Sequence, residues 1–161
     1  MVALSQQNAL RAEQLFKEHE KLEANGDKQG ALEKLRGAAA LNAPYAVSAL
    51  AYEYYNNYKG LTKQALSLYR RAVKLGDPMS AINIARHYES VCNSRWYIFW
   101  LNKASRMGFE EADEELRNPF PYLTQRAQNL VATGERAKAL KLLQFAATHG
   151  SQDARRVFSE L

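Results

Sequence analysis

The stretch from Ala65 to Gly76 carries the pattern that the rest of the chain repeats. Its apolar residues recur at steps of one, three and four, as on one face of an α-helix; they are Ala65, Leu66, Tyr69, Ala72 and Val73. Gly76 follows where the helix should end, because glycine adopts the left-handed C-cap conformation without a steric cost. The same pattern returns at 31–42, 97–108 and 139–150, so we expect a protein built from helical repeats.

The repeat period starts at 34 residues and then changes. Both Ala31 to Ala65 and Pro44 to Pro78 span 34 positions, whereas the turn near Cys92 is two residues shorter than its counterpart. The pattern predicts a single domain of helix pairs at about 5–42, 43–76, 77–108 and 119–150. An acidic insert at 109–118 and an amphipathic capping helix at 151–161 complete it.

Prolines and an aspartate mark the predicted helix starts. Pro44 and Pro78 suit the first turn of a helix, and Asp77 suits the N-cap before Pro78. A short acidic helix is expected from about 109 to 117. Since two prolines within 118–121 should not lie inside a helix, we expect the next helix to begin near Tyr122.

The chain resembles the Sel-one-like repeats, which are related to tetratricopeptide repeats. The matching motifs are Leu50-Ala51-x-x-Tyr54 with Ala65-x-x-x-Tyr69-x-x-Ala72-x-x-x-Gly76, and Ile84-Ala85-x-x-Tyr88 with Leu101-x-x-Ala104-x-x-x-Gly108. The resemblance covers about 24–154 and departs from the family where Tyr97 replaces a small alanine. It implies an all-α fold, a right-handed α-solenoid of about four antiparallel helix pairs with a C-terminal capping helix. It also implies a non-catalytic scaffold that holds other proteins.

Composition agrees with a folded, soluble helical protein. Hydrophobic residues make up 47% of the 161 residues and charged residues 24%, and helix-forming types are frequent. A single cysteine, Cys92, excludes an internal disulfide and fits a reducing compartment. No apolar leader is visible, and no apolar run approaches the roughly 20 residues of a membrane span. These features predict a cytoplasmic protein with no membrane association.

Candidate chemistry is sparse. The three histidines, His19, His87 and His149, fall in different repeats with no second His or Cys at metal-ligand spacing. Cys92 has no recognisable catalytic partner, and neither a phosphate-binding loop nor a nucleophile motif occurs. The sequence therefore predicts no enzyme, no cofactor and no metal site.

A first candidate binding surface lies on the first helix of the second repeat. Its outward arc carries the polar and aromatic residues Tyr45, Ser48, Tyr52, Tyr55 and Asn56. Arg86 and Glu89 are the next repeat's counterparts of Tyr52 and Tyr55, so we expect the four to line a concave groove. Tyrosine and arginine dominate protein-binding hot spots. The alternative left open is that these tyrosines pack on neighbouring helices.

A second candidate surface is the pair Trp96 and Phe99. The position of Trp96 is Gly30, Gln64 and Lys138 in the other repeats, and that of Phe99 is Glu33, Ser67 and Lys141. The fold therefore requires no aromatic residue at either place, whereas Trp100 has leucine counterparts and should be core. The alternative is that Phe120 and Tyr122 fold back over Trp96 and Phe99.

Two functional hypotheses follow. The first is a protein-binding module, in one version a bacterial immunity protein that masks a toxin with an acidic surface. The second is a nucleic-acid-binding repeat protein that uses the basic 59–106 surface. That segment holds nine basic and two acidic residues, within a chain of net charge +5. Nucleic acid is disfavoured, because the repeats lack one ordered set of polar readers and the acidic insert would repel phosphate. Oligomeric state is left open.

Overall fold

The protein is all-α in the residues that its structure, a computed structural model, describes: 6–58, 60–117 and 119–161. These residues form ten helices and no strand. The helices are α1 (Gln6–Ala24), α2 (Lys28–Ala40), α3 (Pro44–Asn57), α4 (Lys63–Lys74), α5 (Pro78–Ser90), α6 (Ser94–Ser105), α7 (Glu110–Arg117), α8 (Pro119–Ala132), α9 (Arg136–Thr148) and α10 (Gln152–Glu160). The all-α prediction is confirmed.

The chain divides into two compact units, an N-terminal unit, Met1–Ile84, and a C-terminal unit, Ala85–Leu161. The division falls inside α5. Each predicted helix pair has two helices at its place, α7 occupies the acidic insert, and α10 occupies the predicted cap. The single domain over 1–161 stays a prediction.

In the N-terminal unit, α1 packs on α2, α2 on α3 and α3 on α4. Small residues dominate the main core cluster of this unit, whose buried members are Ala12, Leu35, Ala38, Ala39, Ala43, Ala46, Val47, Leu50 and Ala72. Because an alanine side chain is short, the helix backbones approach closely at these positions. The burial of Ala65 and Ala72, both fully inaccessible, agrees with the predicted apolar face of α4.

In the C-terminal unit, α6 packs on α7, and α8, α9 and α10 pack on one another. Tyr97 occupies the position held by alanine in the other repeats, and it is fully buried. Its phenol donates a hydrogen bond to the Glu115 carboxylate on α7. The acidic insert therefore supplies the polar partner that a buried tyrosine requires. Trp100 is also buried, as predicted.

The predicted start of α8 is wrong. We expected the helix to begin near Tyr122, but it begins at Pro119 and includes Pro121. Both prolines lie in the first turn, where backbone N–H groups have no intrahelical acceptor, so the missing donor of proline costs nothing. The predicted break at Asn118 lies outside the described residues.

In the turn between α5 and α6, Cys92 occupies a position that usually holds glycine. After α4, Gly76 has φ 101°, and the N–H of Asp77 bonds to the carbonyl of Ala72 at 3.0 Å. After α5, Cys92 takes the same left-handed role with φ 58°, and the N–H of Asn93 bonds to the carbonyl of Tyr88 at 2.7 Å. A cysteine there carries the backbone strain that glycine avoids.

The predicted helix starts at Pro44 and Pro78 are confirmed. The N–H of Ser80 donates to the carboxylate of Asp77 at 2.9 Å, which confirms Asp77 as the cap of α5. None of the described helices is long and apolar enough to cross a lipid bilayer.

We predict that Gly76→Ala lowers the free energy of unfolding by about 1 kcal/mol or more, because a Cβ is strained in the left-handed region. The matched control is Gly60→Ala. An added Cβ meets no atom within 4 Å at either glycine, but the φ of Gly60 lies outside the left-handed range. The control should leave stability unchanged or raise it by up to about 1 kcal/mol. Urea denaturation measures both, and equal losses would contradict the assigned turn.

We predict that Ala72→Leu lowers the free energy of unfolding by about 1–3 kcal/mol, because Ala72 is fully buried between packed helices and a leucine overpacks the site. The control is Ala40→Leu, which makes the same change at an exposed position of α2. It should alter stability by less than about 0.5 kcal/mol. An unchanged melting midpoint for Ala72→Leu would refute the predicted helix register.

Candidate partner-binding surface

Two residues of the predicted α3 surface take part in internal contacts. The Tyr45 ring packs edge-on against Phe16 of α1, with the ring centroids 4.9 Å apart, although 42% of Tyr45 stays exposed. The hydroxyl of Ser80 donates to the hydroxyl of Ser48 at 2.9 Å. Tyr45 therefore helps hold α3 to α1, and Ser48 helps hold α3 to the start of α5.

The remaining α3 candidates differ in exposure. Tyr52 is 53% exposed, Asn56 is exposed, and Tyr55 is half-buried. Burial raises the pKa of Tyr69, and the phenols of Tyr55 and Tyr52 raise it further. Both tyrosines therefore lie near the Tyr69 hydroxyl. Tyr52 is thus the most exposed aromatic residue of α3, and exposure is what an anchor for a partner requires.

Arg86 and Glu89 belong to a polar network inside the C-terminal unit, here called the Arg86 cluster: Arg86, Glu89, Tyr97, Glu115 and Tyr122. The Arg86 guanidinium donates two bonds to the Glu115 carboxylate, at 2.7 and 2.8 Å. It also donates to Glu89 at 3.3 Å, and Glu89 accepts a bond from the Tyr122 hydroxyl. The cluster therefore connects α5, α6, α7 and α8.

The electrostatics of the Arg86 cluster hold its phenols neutral and its guanidinium charged. Burial raises the pKa of Tyr122 to about 12, and the hydrogen bond to Glu89 acts in the same direction. Burial also raises the pKa of Tyr97, with a further rise from Glu115. For Arg86, burial lowers the pKa, but the hydrogen bonds and charge of Glu115 outweigh it and the pKa stands above its usual value. The cluster is a set of donors matched to acceptors.

The predicted groove takes its residues from both compact units, Tyr52 and Tyr55 from one and Arg86 and Glu89 from the other. Glu89 is 9% exposed, and its hydrogen bonds with Arg86 and Tyr122 lie within the C-terminal unit. Arg86 keeps part of its surface exposed, but its polar atoms bind Glu115 and Glu89. These two side chains are better explained as supports of the fold, and the groove itself stays a prediction.

The second predicted surface is on the solvent side of α6. Trp96 is 40% exposed and Phe99 is 52% exposed, and their rings meet edge to face with centroids 5.3 Å apart. Tyr88 of α5 stacks on Trp96 at 5.8 Å. An exposed aromatic pair that is held in place by its neighbours suits an anchoring role, because little side-chain entropy remains to be lost on binding.

Tyr122 does not cover this pair. Its ring stacks on Tyr97, with centroids 6.5 Å apart, and its hydroxyl binds Glu89. This placement argues against the alternative in which Tyr122 folds back over Trp96 and Phe99.

Sequence reasoning missed a depression next to α6, here called the basic cleft. It has a volume of about 460 Å³ and lies between the turn after α5 and one side of α9. Its main lining residues are Val91, Cys92, Arg95, Lys138, Lys141 and Phe145. The sequence did contain a signal for the basic cleft, since Lys138 and Lys141 are the fourth-repeat counterparts of Trp96 and Phe99. Equivalent positions of successive repeats tend to share one face of the molecule.

The Cys92 thiol lines the basic cleft. Burial raises the pKa of the Cys92 thiol, although the charges of Arg126 and Lys138 act in the opposite direction. A reactive thiol needs a lowered pKa. In the described part of the chain, no group of three or more His, Cys, Asp or Glu side chains is arranged to hold a metal ion.

Comparison with known proteins leaves the family open. No model of a known protein family matches the chain, and no curated protein matches it. The Sel-one-like resemblance therefore stays a prediction from the repeat motifs.

We predict that Arg86→Met lowers the free energy of unfolding by about 1–3 kcal/mol. The change leaves Glu89 and Glu115 without their cation, and both carboxyl side chains are largely buried, at 10% and 15% exposure. Removing one partner of a buried pair costs about 3–5 kcal/mol, and the partial exposure of Arg86 reduces this. Arg86→Lys keeps the positive charge but loses the paired donors. Its free energy of unfolding should therefore lie between those of Arg86→Met and the unchanged protein.

Arg156→Met is the control for the Arg86 prediction. Arg156 pairs with Asp153 at 3.8 Å, and both side chains are more than 70% exposed. Such a surface pair contributes about 0–1 kcal/mol, so thermal denaturation should show little change. An equally small loss for Arg86→Met would mean that the cluster is not a structural connection.

Proposed function

We propose that this chain is a non-enzymatic protein-binding module. The observation that carries the proposal is the exposed pair Trp96 and Phe99, at positions where the other repeats hold no aromatic residue. Exposing two large apolar rings to water is unfavourable, and the fold does not require aromatic residues at these positions. Tryptophan is also among the residue types that contribute most at protein interfaces.

The proposed architecture is a right-handed α-solenoid of antiparallel helix pairs. The order of packing in the N-terminal unit supports it, because α1 contacts α2, α2 contacts α3, and α3 contacts α4. Nearest-neighbour packing of this kind is the hallmark of repeat proteins, which present extended surfaces to partners. The role we propose is therefore a scaffold or adaptor, or in its most specific form an immunity protein that masks a toxin.

The test is capture of partners from a lysate of cells that express the chain natively, followed by mass spectrometry. We predict that Trp96→Ala loses the specific partner, because a true anchor contributes about 2 kcal/mol or more of binding. Folding should be preserved, since Trp96 is 40% exposed. Tyr52→Ala and Tyr55→Ala test the first candidate surface in the same experiment.

Tyr58→Ala is the control for capture, because Tyr58 is 65% exposed and belongs to neither candidate surface. Lost capture in Tyr52→Ala with intact capture in Trp96→Ala would move the site to α3. Unfolding of the Tyr52 or Tyr55 variant would show that the tyrosine is part of the core. Full capture by all variants would refute both surfaces.

Nucleic acid is the second candidate, and the observation that favours it is the solvent side of α4. Lys63, Arg70 and Lys74 are exposed there, and the helix contains no acidic residue. Arg71 is committed elsewhere, since it donates to the Ala39 carbonyl at 3.0 Å and to the Asn42 side chain. Titration with mixed RNA or duplex DNA at low salt tests this, and a dissociation constant below about 1 μM with a steep salt slope would reverse our ranking.

A further inference from the structure

The basic cleft combines cations, an apolar wall and a row of side chains along α9 within the C-terminal unit. We propose that it binds an extended acidic peptide segment that carries one apolar anchor. This inference rests on the proposed protein-binding function and specifies the chemistry of the partner. Three properties of the cleft lead to it.

The first property is charge. Arg95, Lys138 and Lys141 line the cleft, and the charge of Arg126 reaches the Cys92 thiol beside it. Glu135 and Glu89 are the neighbouring carboxylates; Glu135 is already paired with Lys138 and Glu89 with Arg86. The balance of charge is therefore positive, which attracts carboxylates and increases the rate at which an acidic segment associates.

The second property is an apolar wall among these cations. Val91 is 51% exposed and lines the cleft together with Phe145. Stacking on His149, with ring centroids 4.1 Å apart, holds the Phe145 ring in place. A single apolar side chain of the peptide would remove this wall from water, which gives a reason to prefer acidic segments that also carry an anchor.

The third property is shape. Lys138, Lys141 and Phe145 are spaced by three and four residues along α9, and the row covers about 10 Å at 1.5 Å per residue. An extended chain advances about 3.3 Å per residue, so roughly three or four peptide residues fit along it. Arg95, on the other side of the cleft, belongs to α6.

A nucleic acid strand is a poorer occupant. Its phosphates would also be attracted, but base stacking needs free aromatic faces. Tyr88 already stacks on one face of Trp96, and Phe99 meets other rings edge to face. A second copy of this chain could offer the exposed acidic residues of α7, Glu110, Glu111 and Glu114. Both occupants are outcomes of the experiment below.

The experiment is selection of random twelve-residue peptides by phage display on the full chain, followed by fluorescence anisotropy of the synthetic peptides. We expect the selected peptides to contain at least two Asp or Glu residues near an apolar residue. Their dissociation constant should rise about tenfold in Lys141→Glu, because an attraction becomes a repulsion. It should also rise with salt concentration.

Lys28→Glu is the matched control, since it makes the same change in net charge at an exposed position of the N-terminal unit. Binding to this variant should be unchanged. An equal loss in Lys28→Glu would indicate general charge attraction and would overturn the assignment to the cleft. So would tighter binding of a twelve-nucleotide single strand, or a dimer of the chain that Lys141→Glu dissociates.

Different results would overturn the acidic-peptide proposal and the protein-binding proposal. Neutral or basic selected peptides, or acidic peptides unaffected by Lys141→Glu, would overturn the acidic partner and leave protein binding intact. Capture of a native partner that is lost in Trp96→Ala but unchanged in Lys141→Glu would do the same. If no peptide is enriched and no native partner is captured, both proposals are overturned.

Discussion

The close approach of neighbouring helices through alanine is the constraint on which the structure depends. Ala38 and Ala46 in the N-terminal unit, and Ala104 and Ala139 in the C-terminal unit, are completely buried. A larger side chain at such a site would separate the helices and leave gaps in a densely packed interior. Because the apolar face of each helix is committed in this way, residue types that the fold does not require are confined to the outward positions.

The helices could be predicted from sequence almost to their ends, since a 3.6-residue period and glycines at the turns are local signals. Pro119 and Pro121 show the limit of that reasoning. A proline excludes the interior of a helix but suits its first turn, so the same residue predicts a break or a start according to where the helix begins. The solenoid arrangement and its handedness are not local properties, and both stay predictions.

The candidate surface was less accessible to sequence reasoning. Comparing equivalent repeat positions singled out Trp96 and Phe99, because the core does not require aromatic residues there. It could not reveal the role of Arg86, since its partner Glu115 lies 29 residues away, in an insert with no counterpart in the other repeats. The basic cleft was missed because it combines Val91 and Arg95 of the third repeat with Lys138, Lys141 and Phe145 of the fourth.

The contact between Tyr97 and Glu115 also bears on how such a chain could evolve. Repeat proteins commonly grow and shrink by duplication or deletion of whole repeats, since each repeat depends only on its neighbours. Here α7 provides the acceptor for a buried phenol on α6 and for the guanidinium on α5. We expect gene rearrangements that remove the 109–118 segment to be purged, whereas changes in repeat number within the first 76 residues meet no such obstacle.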